Sequence, residues 1–201
     1  MSEEHRPQQY RKKILEALND FVDKTGGYFR AIFNGLAGAS IEEHEHIQAT
    51  TEEFPIERLK IENRDVIYEN NDIRISNPKY YCSIRVVEGT GRAKTEDAAD
   101  KIISKWHNMD GQYHTVNIVA AKPDNQYRIF IILRDKRKLV GNGKGGAIAS
   151  FETGGNVILS YEPKVKSGKE TNERETFDKT NLETIKGLLK DITPKKHLTE
   201  I

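Results

Sequence analysis

The stretch Phe33-Asn34-Gly35-Leu36-Ala37-Gly38-Ala39-Ser40-Ile41-Glu42-Glu43-His44-Glu45-His46-Ile47-Gln48 decides how this chain is read. It closes an aromatic and branched run, Tyr28–Phe33, that predicts a strand ending at Asn34-Gly35. The loop from Leu36 to Ser40 consists largely of small residues, which let backbone N–H groups approach a ligand closely. A second strand is expected across His44–Thr50. Side chains at i, i+2 and i+4 of a strand share a face, so His44, His46 and Gln48 would project together, with Glu45 and Ile47 opposite. Two imidazoles and an amide on one face admit three readings: a metal site, a polar surface patch, or a group that holds and attacks phosphorus. A metal would need further ligands, with Cys82 and His107 as candidates. The glycine- and serine-containing loop beside the histidines favours phosphate.

Outward from this stretch, helical spacing of Tyr10, Ile14, Leu18, Phe21 and Val22 predicts a helix over 7–24, stopped by Gly26-Gly27. A second helix is expected over 95–107, with Thr95 as N-cap and Ala98, Ile102, Ile103 and Trp106 as its buried stripe. Strands are expected at 65–68, 72–76, 80–87, 113–121, 126–135 and 156–161, with Lys122-Pro123-Asp124-Asn125 as a hairpin turn. A last helix, from near Asn172, presents Leu182, Ile185, Leu188, Leu189 and Ile192 on one face. Hairpin-linked strands imply an α+β fold: antiparallel sheet with helices packed on one side. Gly141-Asn142-Gly143-Lys144-Gly145-Gly146 has the letters G-x-G-x-x-G, but no clear helix follows, so it reads as a loop in which Lys144 could meet a phosphate. Arg134, Lys136, Arg137 and Lys138 read as a solvated basic face, with the alternative that at a strand end they could neutralise a polyphosphate, His107 and His114 as local hydrogen-bonding groups, Trp106 as core, and Cys82 as an inert buried thiol.

The 201 residues carry 32 Lys and Arg against 31 Asp and Glu, a net charge of +1, which excludes the broad basic field of a nucleic-acid or membrane-surface binder. The single cysteine excludes an internal disulfide and a cysteine-rich zinc site. No apolar run reaches the roughly 20 residues of a membrane span, and the polar start is unlike a signal peptide. The expectation is a cytoplasmic protein with no membrane and no nucleic-acid polymer as partner, and with no cofactor.

The segment from Phe33 to Ser40 followed by His44-Glu45-His46-Ile47-Gln48 resembles the active-site segment of the histidine-triad (HIT-like) superfamily. Glutamine in third place resembles its nucleotidyltransferase branch, that of galactose-1-phosphate uridylyltransferases, diadenosine tetraphosphate phosphorylases and GDP-hexose phosphorylases. Tyr113–Val119, Arg128–Lys136 and Phe151–Gly155 are similar to elements of the C-terminal half of such proteins. The resemblance implies two related HIT-like halves, residues 1–90 and 91–201, the first incomplete because the strands usual before its helix are lacking. It implies a nucleotidyltransferase or nucleotide phosphorylase, acting on a dinucleoside polyphosphate or nucleoside-diphosphate sugar through a nucleotidyl-histidine. It makes His46 the nucleophile, His44 an orienting group and Gln48 a donor to phosphoryl oxygens, with Asn34, Gly38 and Ser40 lining the phosphate site. A small-molecule nucleotide is the implied partner, and an open sheet edge would allow a homodimer. The competing expectations are a non-catalytic nucleotide-binding or assembly protein and a metal-dependent hydrolase using His44 and His46.

Overall fold

The computed structural model describes residues 5–39, 41–138, 148–156 and 182–192. Helix α1 (Lys12–Lys24) leads to strand β1 (Arg30–Asn34) and, after the small-residue loop, to β2 (Gln48–Thr50). Strands β3 (Arg64–Glu69), β4 (Ile73–Pro78) and β5 (Ile84–Gly89) form a meander, followed by α2 (Arg92–Met109) and the hairpin β6 (His114–Ala121) and β7 (Tyr127–Asp135). Two further helices are α3 (Ser150–Thr153) and α4 (Leu182–Asp191). All ladders are antiparallel and join into one seven-stranded sheet, β2-β1-β6-β7-β5-β4-β3. The β6–β7 hairpin of the second half of the chain inserts between β1 and β5 of the first, so residues 1–90 and 91–201 share one hydrogen-bonded sheet. The expected 156–161 strand, the glycine-rich loop with Lys144, and Ser40 lie outside the described residues.

Period-two alternation builds the core. Ala31, Phe33, Val116, Ile118, Ala120, Ile129, Ile131 and Leu133 face α1 and α2, whose Leu15, Leu18, Val22, Ala99, Ile103 and Trp106 are buried against them. The intervening Ile32, Val119, Phe130 and Ile132 face the other way, onto Phe54, Ile56, Ile148, Leu189 and Ile192. Strands apolar on both faces need two covers. The long helices supply one, as expected, and the segment around Phe54 with α3 and α4 supplies the other. The 122–125 turn has positive φ at Asp124 and Asn125 (50° and 61°), the backbone that suits a tight hairpin. Thr95 lies inside α2, one turn past its Gly91 N-cap, and bonds the Gly91 carbonyl.

Asp23, at the end of α1, ties both long helices to this hairpin. Its carboxylate accepts from Lys122 Nζ at 2.7 Å and Tyr127 Oη at 2.9 Å and pairs with Arg92 at 3.2 Å. Burial works against the charge, but bonds from Lys122 and Tyr127 outweigh it and hold the carboxyl below its ordinary 3.8. A depressed folded-state value contributes stability above the unfolded value, lost as pH falls through the folded one. Asp23→Asn is therefore expected to lower unfolding free energy by about 1–3 kcal/mol at pH 7, the scale of hydrogen bonds to charged groups. Urea titrations should show the deficit shrinking as pH drops below 3.8.

Candidate functional site

The site lies at one end of the sheet, on the face opposite α1 and α2. Asn34, the last residue of β1, is opposite Asn117 of β6, and Ile32 is opposite Gln48 of β2. Paired antiparallel residues share a face, which puts Gln48, Asn34 and Asn117 together. Arg134, near the end of β7, falls on the same face by its two-residue spacing from Ile132.

Hydrogen-bond polarity propagates through this group. The peptide N–H of Ser150 can only donate, and it reaches Asn34 Oδ1 at 2.9 Å, with Ser150 Oγ donating to the same atom at 2.6 Å. Asn34 Nδ2 is thereby turned to Gln48 and donates to its Oε1 at 3.1 Å. With Oε1 accepting, the amide Nε2 of the exposed Gln48 becomes a donor facing outward. The same logic acts on His46. Its Nδ1 lies 2.8 Å from the His44 carbonyl, which can only accept, so Nδ1 carries the hydrogen, and the neutral ring has its lone pair on Nε2. The half-buried His46 thus has its Nδ1 turned to the His44 carbonyl, two residues before Gln48 and its oriented amide.

The loop between them is braced from below. Gly35 N–H donates to the Val116 carbonyl and Asn117 Oδ1, while Gly38 and Ala39 N–H both donate to the Gly35 carbonyl. Gly38 serves close packing: a Cβ there would lie 2.8 Å from Asn117 Nδ2 and 3.3 Å from Ala149 Cα. Arg134 is fully buried, donating to the Ala37 carbonyl at 2.7 Å and the Ile148 carbonyl at 2.6 Å. Burial holds its guanidinium down to about 10, still cationic at neutral pH. The basic run thus divides: Arg134 is an internal brace, and Arg137 pairs with Asp135 and Asp110.

Residues 41–47 are not strand; β2 begins only at Gln48. They are held by the start of the chain, where Gln8 N–H donates to the Glu42 carbonyl and Glu45 N–H to the Arg6 carbonyl. Arg11 grips the Glu45 carboxylate with bonds of 2.5 and 2.7 Å. Gln8 accepts from His46 N–H and donates to the carbonyls of His46 and Asn34. His44 Nδ1 stands 3.4 Å from His5 Nδ1, and its Nε2 is covered without a partner among the described residues.

Of the expected site residues, the structure links His46, Asn34 and Gln48 through Gln8 and the Asn34–Gln48 bond and packs Gly38 against Asn117, whereas the His44 ring meets His5 and only its carbonyl reaches His46. It adds Gln8, Asn117, Arg134 and Ser150, which sequence reasoning did not select. The one signal for Arg134 and Asn117 was a polar residue on the period-two face of an apolar strand.

Among the described residues, no three or more His, Cys, Asp or Glu side chains are grouped to hold a metal ion. Cys82 is buried in the apolar cluster on the α3 and α4 face, its thiol pushed by burial up to about 12. His107 meets the Tyr10 ring, and His114 stacks at 3.5 Å on Trp106 while bonding its carbonyl. These two histidines, with Tyr10, Leu36 and Lys136, line a cavity of about 220 Å3 on the helix side of the loop. Among the described residues, no helix is long and apolar enough to cross a membrane.

No family model matches the chain. It is similar to bacterial proteins named galactose-1-phosphate uridylyltransferase. Enzyme 1 of Streptococcus pneumoniae is 29% identical over 149 residues, covering 67% of this chain and 30% of that protein. The Bacillus subtilis protein is 28% identical over 151 residues, covering 67% and 29%. The Ligilactobacillus salivarius protein is 26% identical over 147 residues, covering 66% and 30%. The match thus spans about 30% of the length of these relatives. A solved DUF4931 family protein from Bacillus cereus superposes with a TM-score of 0.44 at 9% identity, over 77% of this chain and 76% of that one. The similarity to named uridylyltransferases agrees in direction with the nucleotidyltransferase resemblance of the Phe33–Gln48 segment.

Asn34→Ala is expected to strand the buried Ser150 donors and to release Gln48. The cost should be about 1–3 kcal/mol per unsatisfied buried donor. Thermal unfolding reads the loss, and faster hydrogen exchange at the Ser150 amide locates it.

Proposed function

We propose that the protein transfers a nucleotidyl group from a nucleoside-diphosphate sugar to a sugar 1-phosphate through a covalent intermediate on His46. One observation carries this reading: the Nδ1–H bond to the His44 carbonyl leaves Nε2 as the unprotonated nitrogen, beside the outward amide of Gln48. The relatives' printed name, which couples galactose 1-phosphate with uridylyl transfer, supports the sugar-nucleotide class over a dinucleoside polyphosphate.

In the first half-reaction, the Nε2 lone pair forms a bond to the α-phosphorus and the bond to the bridging oxygen breaks, releasing a sugar 1-phosphate. In the second, a phosphate oxygen of an incoming sugar 1-phosphate attacks the same phosphorus and Nε2 departs. A phosphate leaving group needs no proton, so no general acid is required. The covalent intermediate divides one displacement into two. Gln48 Nε2 donates to the non-bridging oxygens as charge spreads over them, and the cationic Arg134 beneath the loop favours the anion electrostatically. His44 supplies the carbonyl that sets the tautomer.

Incubation with UDP-glucose labelled at the α-phosphorus should yield an acid-labile, base-stable adduct that mass spectrometry maps to His46. One equivalent of glucose 1-phosphate should be released, and His46→Ala should form no adduct. Ligand-dependent stabilisation of folded protein, with no adduct from UDP-sugars or other nucleoside-diphosphate sugars, would replace transfer by nucleotide binding alone.

A further inference from the structure

We infer that Gln8 is a positioning residue for His46, standing in for a missing stretch of β-ladder and thereby fixing both the tautomer of the imidazole and its spacing from Gln48. For its rate arm, this rests on the reading of His46 as nucleophile.

The register of β1 against β2 runs Arg30↔Thr50, Ala31↔Ala49, Ile32↔Gln48. Continued by two residues, it would set Asn34 opposite His46. The ladder stops short of that pair: β1 runs on to Asn34, but residues 41–47 are not strand and β2 begins only at Gln48. The carboxamide of Gln8 fills the gap. Its Oε1 accepts from His46 N–H at 2.7 Å, and its Nε2 gives one hydrogen to the His46 carbonyl and one to the Asn34 carbonyl, both at 2.9 Å. One side-chain amide thus makes both bonds that a strand neighbour would make to residue 46, and joins that residue to the end of β1.

Gln8 is fully buried, and both its amide hydrogens are used, so its orientation has no second solution. Reversing the amide would aim an oxygen at two carbonyls and an NH2 at a peptide N–H. The backbone held this way is the one that brings the His44 carbonyl onto His46 Nδ1. The link to Asn34 also sets the distance between the nucleophile and the amide chain Ser150–Asn34–Gln48. The His44 carbonyl lies within the His-x-His-x-Gln motif, but the bonds that hold residue 46 against the end of β1 come from 38 residues away.

Two substitutions separate positioning from mere support. Gln8→Leu keeps the volume and removes all three bonds; Gln8→Glu keeps an acceptor for His46 N–H and loses both donors. Imidazole nitrogen NMR of substrate-free protein should show His46 in the wild type as the Nδ1–H form. Both variants should show a mixture with Nε2–H. The rate of His46 adduct formation from UDP-glucose at saturation should fall about 10- to 100-fold, as misplacement by an ångström does, with the half-saturating concentration changed less than threefold. A folded Gln8→Leu or Gln8→Glu protein that keeps the wild-type tautomer and adduct rate would overturn the inference, and so would a loss of thermal stability alone. If the wild type forms no adduct, the proposed transfer fails, while the substrate-free tautomer comparison still decides the role of Gln8.

Discussion

Two groups that can hydrogen-bond in only one sense set the polarity of everything around them: the Ser150 peptide N–H, which must donate, and the His44 carbonyl, which must accept. From the first follows the orientation of Asn34 and then of Gln48; from the second follows which nitrogen of His46 is basic. Neither arrangement depends on a residue's identity alone. A glutamine amide in water presents oxygen and nitrogen with equal ease, and an imidazole exchanges tautomers. Burial of the partners removes that freedom, because an amide turned the wrong way would leave an unpaired polar group costing about 1–3 kcal/mol.

The sheet makes such burial possible. Inserting the β6–β7 hairpin between β1 and β5 gives four central strands with cover on both sides, and the end of that layer is where Asn34, Asn117 and Arg134 sit. A guanidinium is poorly placed in such a setting unless its donors are used. Arg134 uses Nη1 and Nη2 on the carbonyls of Ile148 and Ala37, and so fastens the small-residue loop to the segment before α3, while its Nε is buried with no partner among the described residues. Among the described residues it has no ion-pair partner, so its charge is not cancelled on the spot.

Helices and strands were legible where the pattern is local. The stripes of α1 and α2, the meander β3–β5, the central hairpin and its turn all follow from spacing and turn chemistry, and the one antiparallel sheet follows from the hairpins. The second strand is the instructive departure. His44, His46 and Gln48 alternate as a strand should, yet only Gln48 has a ladder partner, because the Gln8 carboxamide stands between the His46 backbone and the end of β1. The basic run departs for the same kind of reason: Arg134 is adjacent to exposed cations in sequence, but its face is decided by Phe130 and Ile132, four and two residues earlier.

By itself the sequence determined the class of fold, the apolar faces and the set of residue types, two histidines, a glutamine and a small-residue loop, that suit phosphate chemistry. Tertiary structure alone decided that Gln8 would complete the site, that Arg134 would lie beneath it, and which nitrogen of His46 would carry the lone pair. The physical reason is range. Periodicity reports on neighbours within a few residues, whereas hydrogen-bond polarity here is passed between residues 8, 34, 46, 48 and 150, which meet only when the sheet has closed.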